Sequence, residues 1–590
     1  PSSNKVRKVT SENYPTDAGR EGESIFRRVY ALAGSKLPIK RLWISSMEDA
    51  AIQQGFENLK DGAAYDNLFA ASECRAKADW LIGMNGTRAF TKKYGRKQTI
   101  GRVQTPTLAM LAERQAKIQN FVKEPYYKVE LSGAGVVAVS EQMTQEQDAD
   151  TVQAACDGQC AVVGSIERKR IEKKPPKLYD LTTLQREANR YYGLPASQTL
   201  QALQELYEEK LVTYPRTDSQ FVTEDMRKTV ESLVLALDGT AAGVSCVINN
   251  SRVTDHHAIL PTMQGVNCNR ERLSETNRKV FSLVIWKLVQ AVQSPFIYED
   301  VLVTVCCQGQ NFTAKYKDIL QPGYTAKSVP FVEPEKDKDV PLPKKMEQGM
   351  VLPVVRAEKK QGFTSPPKVY TEDTLLSAME TAGNDQFDDD TEKKGLGTPA
   401  TRAGIIEKLV KSGFAERKGK SLIPTKDGCN LVCVLPEQIT SPAMTAEWEN
   451  TLMEIERGKA DADAFLSGIV RMTGDLVKAY PFLSDAEAQR FGTGKEEIGK
   501  CPRCGSPVYV GKGNFYCSNK ACSFCLWEDN KFFSSKKKKL TKRIAKELLD
   551  KGWCRVTGLY TPKKPQLYDA VIRLDDSGGK YVSFKMEFDR

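Results

Sequence analysis

The stretch Gln204-Glu-Leu-Tyr-Glu-Glu-Lys-Leu-Val-Thr-Tyr-Pro-Arg-Thr-Asp-Ser219 changes character at its middle. Its first half continues an amphipathic helix that ends near Lys210. Pro215 then disfavours α geometry at the residue before it, so Tyr214 sits in a short extended segment. Arg216 lies two residues on, which brings its side chain out on the same face as the tyrosine. A phenol with a pKa of about 10 is a poor nucleophile unless a nearby cation favours its anion and the charge on the phosphate it attacks. Arg216 can supply both. Taken alone, Tyr-x-Arg is a weak signal, and a buried tyrosine beside a surface arginine is the plainer reading.

Working outward, amphipathic helices are expected over 181–192, 197–209, 223–237 and 272–292. Alternating apolar and polar residues predict strands before them (126–139, 161–168) and after them (301–316, 351–357). Strand-rich blocks on both sides of a helical block imply one β-rich domain interrupted by an inserted helical one. Nearer the start, helices over 24–32 and 48–59 flank an apolar strand at 39–44, an α/β alternation. A mostly helical stretch runs from 65 to 121, another from 371 to about 480 with a hairpin at 414–424, and 330–346 is an exposed loop. The fold class is therefore multidomain, α/β and α+β.

With 590 residues the chain is too long for one core at roughly 100–200 residues per domain. A hydrophobic fraction of 40% with 27% charged residues fits a globular protein, and no apolar run is long enough to span a bilayer. The polar start, Pro1-Ser-Ser-Asn-Lys, has no signal-peptide core, which suggests a bacterial cytoplasmic protein. The net charge of +11 is modest, but Lys536-Lys-Lys-Lys539 and the basic residues after it form a block suited to phosphates. Most of the 15 cysteines are scattered in apolar segments as reduced thiols. Cys501-Pro-Arg-Cys504 and Cys517-Ser-Asn-Lys-Ala-Cys522 are different: two close pairs across a short hairpin suit a structural zinc ion. Cys525 competes with Cys522 for the fourth place. Aromatic residues from Phe515 to Phe533 offer stacking faces for single-stranded bases, and some must fill the small core.

Further motifs extend the pattern. Thr254-Asp-His-His-Ala-Ile-Leu-Pro-Thr262 holds the only two histidines of the chain. Thr16-Asp-Ala-Gly-Arg-Glu-Gly-Glu23 places carboxylates at the start of a helix, where they suit either Mg²⁺ or the helix dipole. Gly101-Arg-Val-Gln-Thr-Pro106 and Gly395-Leu-Gly-Thr-Pro-Ala-Thr-Arg-Ala403 follow. In the second, Thr398 can cap a helix that Pro399 begins, aiming backbone N–H groups at a phosphate or simply closing an ordinary helix. Gly395-x-Gly-x-x-Ala lacks the strand a dinucleotide fold needs, and 413–421 has the wrong spacing for a P-loop, so no ATP site is expected.

Together these motifs resemble, in the same order, those of type IA DNA topoisomerases of the topoisomerase III kind. The resemblance makes Tyr214 the nucleophile that forms a 5′-phosphotyrosine, with Arg216 as its electrostatic partner and His256 as a contact of the scissile phosphate. Gln204 and Glu208 match residues that line the active site. Arg102, Gln104, Thr398 and Arg402 match DNA-binding positions, with Lys536 and Lys537 as further candidates. Asp17 and Glu21 match the Mg²⁺ residues of a Toprim domain, a match that continues through Lys40-Arg-Leu-Trp-Ile-Ser-Ser-Met47. Position 19, an acid in the Asp-x-Asp-x-Glu-Gly-Glu signature, is glycine here. The zinc ribbons of the family favour Cys501, Cys504, Cys517 and Cys522.

What the resemblance implies is a toroidal core with a partial Toprim domain (1–62), a split helical domain (63–122 and 366–482) and a β-rich hinge domain (123–180 and 294–365). An inserted domain (181–293) carries the tyrosine, and a linker (483–500) leads to a C-terminal zinc and basic module (501–590). It also implies Mg²⁺-dependent, ATP-independent cleavage, strand passage and religation on single-stranded and negatively supercoiled DNA, in a cytoplasmic protein associated with nucleoid or plasmid and with no membrane partner. Neither the dispersed Arg/His set of a tyrosine recombinase nor the histidine pair of a relaxase is visible. The family's opening strand, with a Glu-Lys-Pro-like motif, normally lies well before this signature, and 10–15 is too polar for a buried strand. An incomplete Toprim domain is therefore expected, with apolar helix faces exposed, disorder before about Leu42, and a catalytically impaired single-stranded-DNA-binding remnant as the alternative function.

Overall fold

The computed structural model describes residues 12–14, 16, 18–44, 49–94, 97–238, 243–253, 255–333, 340–383, 395–479, 497–511, 513–519, 521–561, 566–576 and 581–587. The chain forms two compact units, residues 1–87 with 99–477 and residues 88–98 with 478–590.

In the first unit, alternating apolar residues build a seven-stranded antiparallel sheet. Its spatial order is Arg356–Phe363, Pro125–Gly133, Val136–Ser140, Gln310–Gln321, Phe296–Cys307, Ala161–Lys173 and Val351–Leu352. Val129, Leu131, Val303, Val305 and Phe312 point to one buried face. The helix Glu146–Cys156 contributes Ala149, Val152 and Cys156 to the same core. Strand pairing explains how a helical block interrupts the sheet: Ala161–Lys173 ends opposite the start of Phe296–Cys307, with Lys173 paired to Phe296. An excursion can leave one strand and return to its neighbour without breaking the ladder.

That excursion holds the helices Leu181–Tyr192, Ala196–Glu208, Arg227–Asp238, Met263–Val266 and Glu275–Ala291. One core gathers Leu184, Ala188, Leu203, Leu206, Phe281 and Val284, and a second gathers Val230, Val234, Ala258 and Leu288. A polar group is buried among them. Lys287 Nζ lies 2.9 Å from Glu187, which also accepts the Tyr179 hydroxyl at 2.5 Å. Burial pulls the Lys287 pKa down while Glu187 opposes that pull, so the pairing keeps a cation inside the domain.

Near the start, Glu12–Tyr14 runs parallel to Ile39–Arg41, which pairs antiparallel with Lys60–Asp61. The polar composition at 10–15 argued against a strand, yet parallel pairing uses only backbone groups, and Pro15 follows the last strand residue. The disorder expected before Leu42 is likewise not found at 18–42, where the helix Arg20–Ala33 is anchored from inside. Glu23 and Arg41 are both fully buried and 3.3 Å apart, and Arg27 approaches Glu23 at 2.8 Å. The same helix exposes Ile25, Val29 and Leu32, by 58%, 60% and 90%, as one apolar stripe. Residues 1–11, 15 and 17 lie outside the described residues.

The second unit contains a four-stranded antiparallel sheet in the order Glu497–Lys500, Pro507–Val510, Asn514–Cys517 and Cys525–Trp527. Glu497–Lys500 was expected to end a linker, but its backbone completes this sheet; 480–496 lie outside the described residues. The helix Lys542–Lys551 and a three-stranded sheet of Trp553–Thr561, Gln566–Asp575 and Ser583–Glu587 share its core with Phe515, Phe524 and Phe533. Those three aromatic residues are therefore interior, whereas Trp527 is 48% exposed.

Candidate active site

Tyr214 follows a helix that stops sharply. The helix Ala196–Glu208 ends, Lys210 adopts φ 61°, and the chain turns into extended backbone. Residues 212–217 are then stitched to 256–261. Thr213 donates its N–H to Leu260 O (2.9 Å) and accepts the Leu260 N–H on Oγ1 (2.9 Å), and Thr217 Oγ1 donates to His256 O (2.9 Å). Val212 and Pro261 form a bridge in the same antiparallel sense. The consequence is that the His256 ring lies 4.2 Å from the Tyr214 ring, with Tyr207 packed edge-on to Tyr214 at 5.6 Å. His257 turns inward, its Nδ1 2.8 Å from Ala258 O, and burial holds its pKa below the usual imidazole range.

The surrounding polar residues divide by exposure. Arg216 is exposed. Gln204 Nε2 donates to Glu208 Oε1 at 3.0 Å along one face of the helix that precedes the tyrosine. Arg402, by contrast, is 3% exposed: it donates to Leu396 O (3.2 Å) and Thr182 Oγ1 (3.0 Å) and lies 3.5 Å from Glu380. Burial lowers its pKa, and Glu380, Asp180 and Asp218 oppose that. Asp180 itself is pushed up to about 6 by burial, although Thr183 N–H (2.6 Å) and Gln220 Nε2 (2.8 Å) both donate to its carboxyl. Thr398 precedes the helix Pro399–Lys411 and donates its N–H to Thr401 Oγ1 at 3.0 Å.

Gln104 opens the helix Gln104–Gln119 and Arg102 lies just before its N-cap; both are also interior, at 5% and 3% exposure. Arg102 is held by Asp79 (2.7 Å) and Glu449 (3.0 Å) and lies over the Trp448 ring. Both amide atoms of Gln104 are buried and have no hydrogen-bond partner among the described residues. Leaving a buried amide unpaired costs about 1–3 kcal/mol, so a polar partner at this side chain would be favourable.

Glu449 went unnoticed in the sequence and is the hub of this region. It lies 3.0 Å from Arg102, 3.4 Å from Arg20 and 3.8 Å from Arg75, and these cations hold its carboxyl below the usual range against burial. Arg75 also reaches Glu21, at 3.6 Å. The only available signal was a carboxylate beside Trp448 in an otherwise apolar helix face. Asp17 lies outside the described residues, Glu21 is exposed, and Glu23 is consumed by Arg27 and Arg41. Gly19 is buried, and a β-carbon there would lie 2.3 Å from Oδ2 of Asp255, the residue before His256.

A family model described as DNA topoisomerase matches residues 63–467. DNA topoisomerase 3 of Bacillus subtilis (strain 168) is 36% identical over 542 residues, covering 86% of this chain and 74% of that protein. The chain belongs to the type IA DNA topoisomerase family. Its likeness is to the topoisomerase III kind: DNA topoisomerase 3 of Shouchella clausii is 37% identical over 543 residues, covering 86% of this chain and 73% of that protein. Full-length topoisomerase I of Thermotoga maritima shares the fold, with a TM-score of 0.63 at 22% identity over 87% of this chain and 84% of that one. These likenesses favour the enzyme over the binding remnant.

The family match ends before the cysteine module. There Cys501, Cys504, Cys517 and Cys522 bring their sulfurs within 4.8 Å of one another, and Cys525 is not in the group. Backbone turns set this up: Gly505 N–H donates to Cys501 O (2.8 Å) and Cys522 N–H to Asn519 O (2.9 Å), so each pair curls around a common point. Lys536 Nζ lies 4.1 Å from the centre of the Phe532 ring and Lys537 Nζ 4.0 Å from that of Tyr560, which places both cations on aromatic faces of the same unit.

Proposed function

We propose that this chain is an ATP-independent isomerase that opens one DNA strand through Tyr214, passes another strand through the gap and reseals it. The tyrosine oxygen bonds to the phosphorus, the strand leaves as a 3′ hydroxyl, and a 5′-phosphotyrosine preserves the phosphodiester energy for resealing. His256 and Arg216 bind the phosphate and stabilise the charge that develops on it. Glu208, tied to Gln204, lines the same helix face. Gln104 and the N-terminus of Pro399–Lys411 take the strand, Arg102 and Arg402 act from inside as positioning cations, and Lys536 and Lys537 hold flanking single-stranded DNA. The observation that carries this reading is the 4.2 Å contact between the Tyr214 and His256 rings across hydrogen-bonded segments.

Two metals fit the donors. Carboxylates at Asp17 and Glu21 suit Mg²⁺, a hard ion that when bound neutralises phosphate charge. Four thiolates suit structural zinc: sulfurs about 2.3 Å from a tetrahedral ion lie about 3.8 Å apart, and Cys501 and Cys522 are separated by 3.7 Å. Among the described residues no helix is long and apolar enough to cross a membrane. The substrates are single-stranded and negatively supercoiled DNA, on nucleoid or plasmid in the bacterial cytoplasm. The test is a negatively supercoiled plasmid with Mg²⁺ and no ATP. A ladder of topoisomers differing by single linking steps is expected, and an unchanged plasmid at stoichiometric enzyme would contradict the reading.

A further inference from the structure

The helix that leads to Tyr214 is capped from another part of the chain. Ala196–Glu208 has Pro195 at its N-cap, which makes no side-chain cap. The first N–H groups of a helix have no partner within it. That of Ala196 donates to Glu372 Oε2 at 2.7 Å. Glu372 also accepts Arg417 Nε (2.7 Å), and Arg417 reaches on to Glu407 (2.8 Å), which accepts the Ser197 hydroxyl (3.2 Å). Asp373 accepts Arg190 on both carboxylate oxygens (2.9 and 3.1 Å) and Arg186 at 3.1 Å, and its own N–H donates to Asn189 Oδ1 at 3.1 Å. Glu372 and Asp373 are both buried. Acids in the first turn of Glu372–Thr381 would favour that helix by themselves, yet both side chains are spent on the neighbouring block.

We infer that this ion-paired seam is the fastening that parts when a strand passes, and that Asp373 is the residue that chiefly holds it shut. This rests on the strand-passage reading above. The segment joined to one DNA end has to move away from Pro399–Lys411, which takes the strand. Among the described residues, the two apolar cores of the excursion that carries Tyr214 draw on 178–292 and Val329 and on none from 371–424. Both of its chain connections meet the large sheet at one place, where Lys173 pairs with Phe296. The excursion is thus anchored to the sheet at one point and clasped by charges at another, and parting the clasp leaves both of its cores closed. Separated charges regain water, whereas an opened core would expose apolar surface. Tyr214 and His256 travel together within the excursion, so cleavage does not require the seam to open. The seam opposes opening and takes no part in the chemistry.

The experiment compares the full wild-type chain with Asp373→Asn, Arg190→Gln and the charge-swapped Arg190→Asp/Asp373→Arg. Hydrogen exchange without DNA reads the seam directly, because the Ala196 and Asp373 amides are bonded across it. Exchange there is expected to rise roughly tenfold in the single variants and to return towards wild type in the swap, with the strands 125–140 and 296–321 unchanged. Covalent adduct on a short single-stranded oligonucleotide with Mg²⁺ is expected to stay at the wild-type level, while relaxation of a negatively supercoiled plasmid runs several-fold faster in the single variants. Wild-type exchange at the seam in those variants would overturn the inference, as would exchange that stays raised in the swap. Faster exchange with unchanged or slower relaxation would make the seam structural only, and loss of adduct would place the charges in cleavage; either overturns it. Absence of relaxation by the wild type would instead sink the reading on which the inference rests. Should Asp373→Asn not fold, Arg190→Gln, at a half-exposed side chain, decides by the same criteria.

Discussion

Four sulfurs between Cys501 and Cys522 converge because one hairpin and two tight turns fold them together, whereas Tyr214 and His256 meet because two distant segments are sewn side by side. Local assembly ties the cluster to the fold: four thiols crowd together at the edge of a small core. Non-local assembly does the reverse. Hydrogen bonds from the Thr213 backbone and hydroxyl to Leu260 and Ala258 hold the two segments side by side. Loss of a side chain should therefore cost activity at one site and structure at the other.

The largest effect should come from Tyr214→Phe. Plasmid relaxation should fall to background while the melting temperature stays near wild type, because only a hydroxyl is removed; relaxation assays and circular dichroism measure the two separately. Chelation of zinc, or Cys504→Ser, should do the opposite. Structural zinc contributes about 10–16 kcal/mol in small zinc peptides, so hydrogen exchange should show protection lost across 497–587 and retained across 125–363. Loss in both regions would break the contrast.

Smaller effects test the supporting pairs. Glu23→Ala leaves Arg41 buried without its carboxylate and should destabilise the N-terminal segment by about 3–5 kcal/mol, read by urea denaturation or by local hydrogen exchange. Asp180→Asn tests the polar layer beside the tyrosine strand. Its folded pKa of about 6 lies above the ordinary 3.8, so its contribution is present at low pH and is lost as pH rises through 6. Wild type should lose about 2 kcal/mol relative to the Asn variant between pH 4 and pH 7. Equal pH profiles for the two proteins would remove Asp180 from this account.

Much of this was legible in the chain, for different reasons in different places. Period-two alternation found the large sheet, because its strands have one buried and one wetter face. Cysteine spacing sufficed for the thiol cluster because its geometry is local. The final sheet, from Trp553 to Glu587, was hidden behind the lysine run before it, which reads as a block suited to phosphates, although Cys554, Val556 and Ile572 beyond it are buried. The Tyr214–His256 contact was reachable only through family resemblance, since no spacing rule links the two segments. Glu449 and the Asp255–Gly19 contact were not legible at all. Each depends on which distant element packs opposite, information that a carboxylate in a helix or a loop does not carry.

The central claim is that Tyr214 is the residue joined to DNA. Wild-type chain incubated with a single-stranded oligonucleotide and Mg²⁺, trapped by denaturation and digested, should yield one peptide–nucleotide conjugate in mass spectrometry, with a 5′ phosphate on Tyr214. A conjugate on any other residue, or a phosphate joined through a 3′ end, would contradict the account.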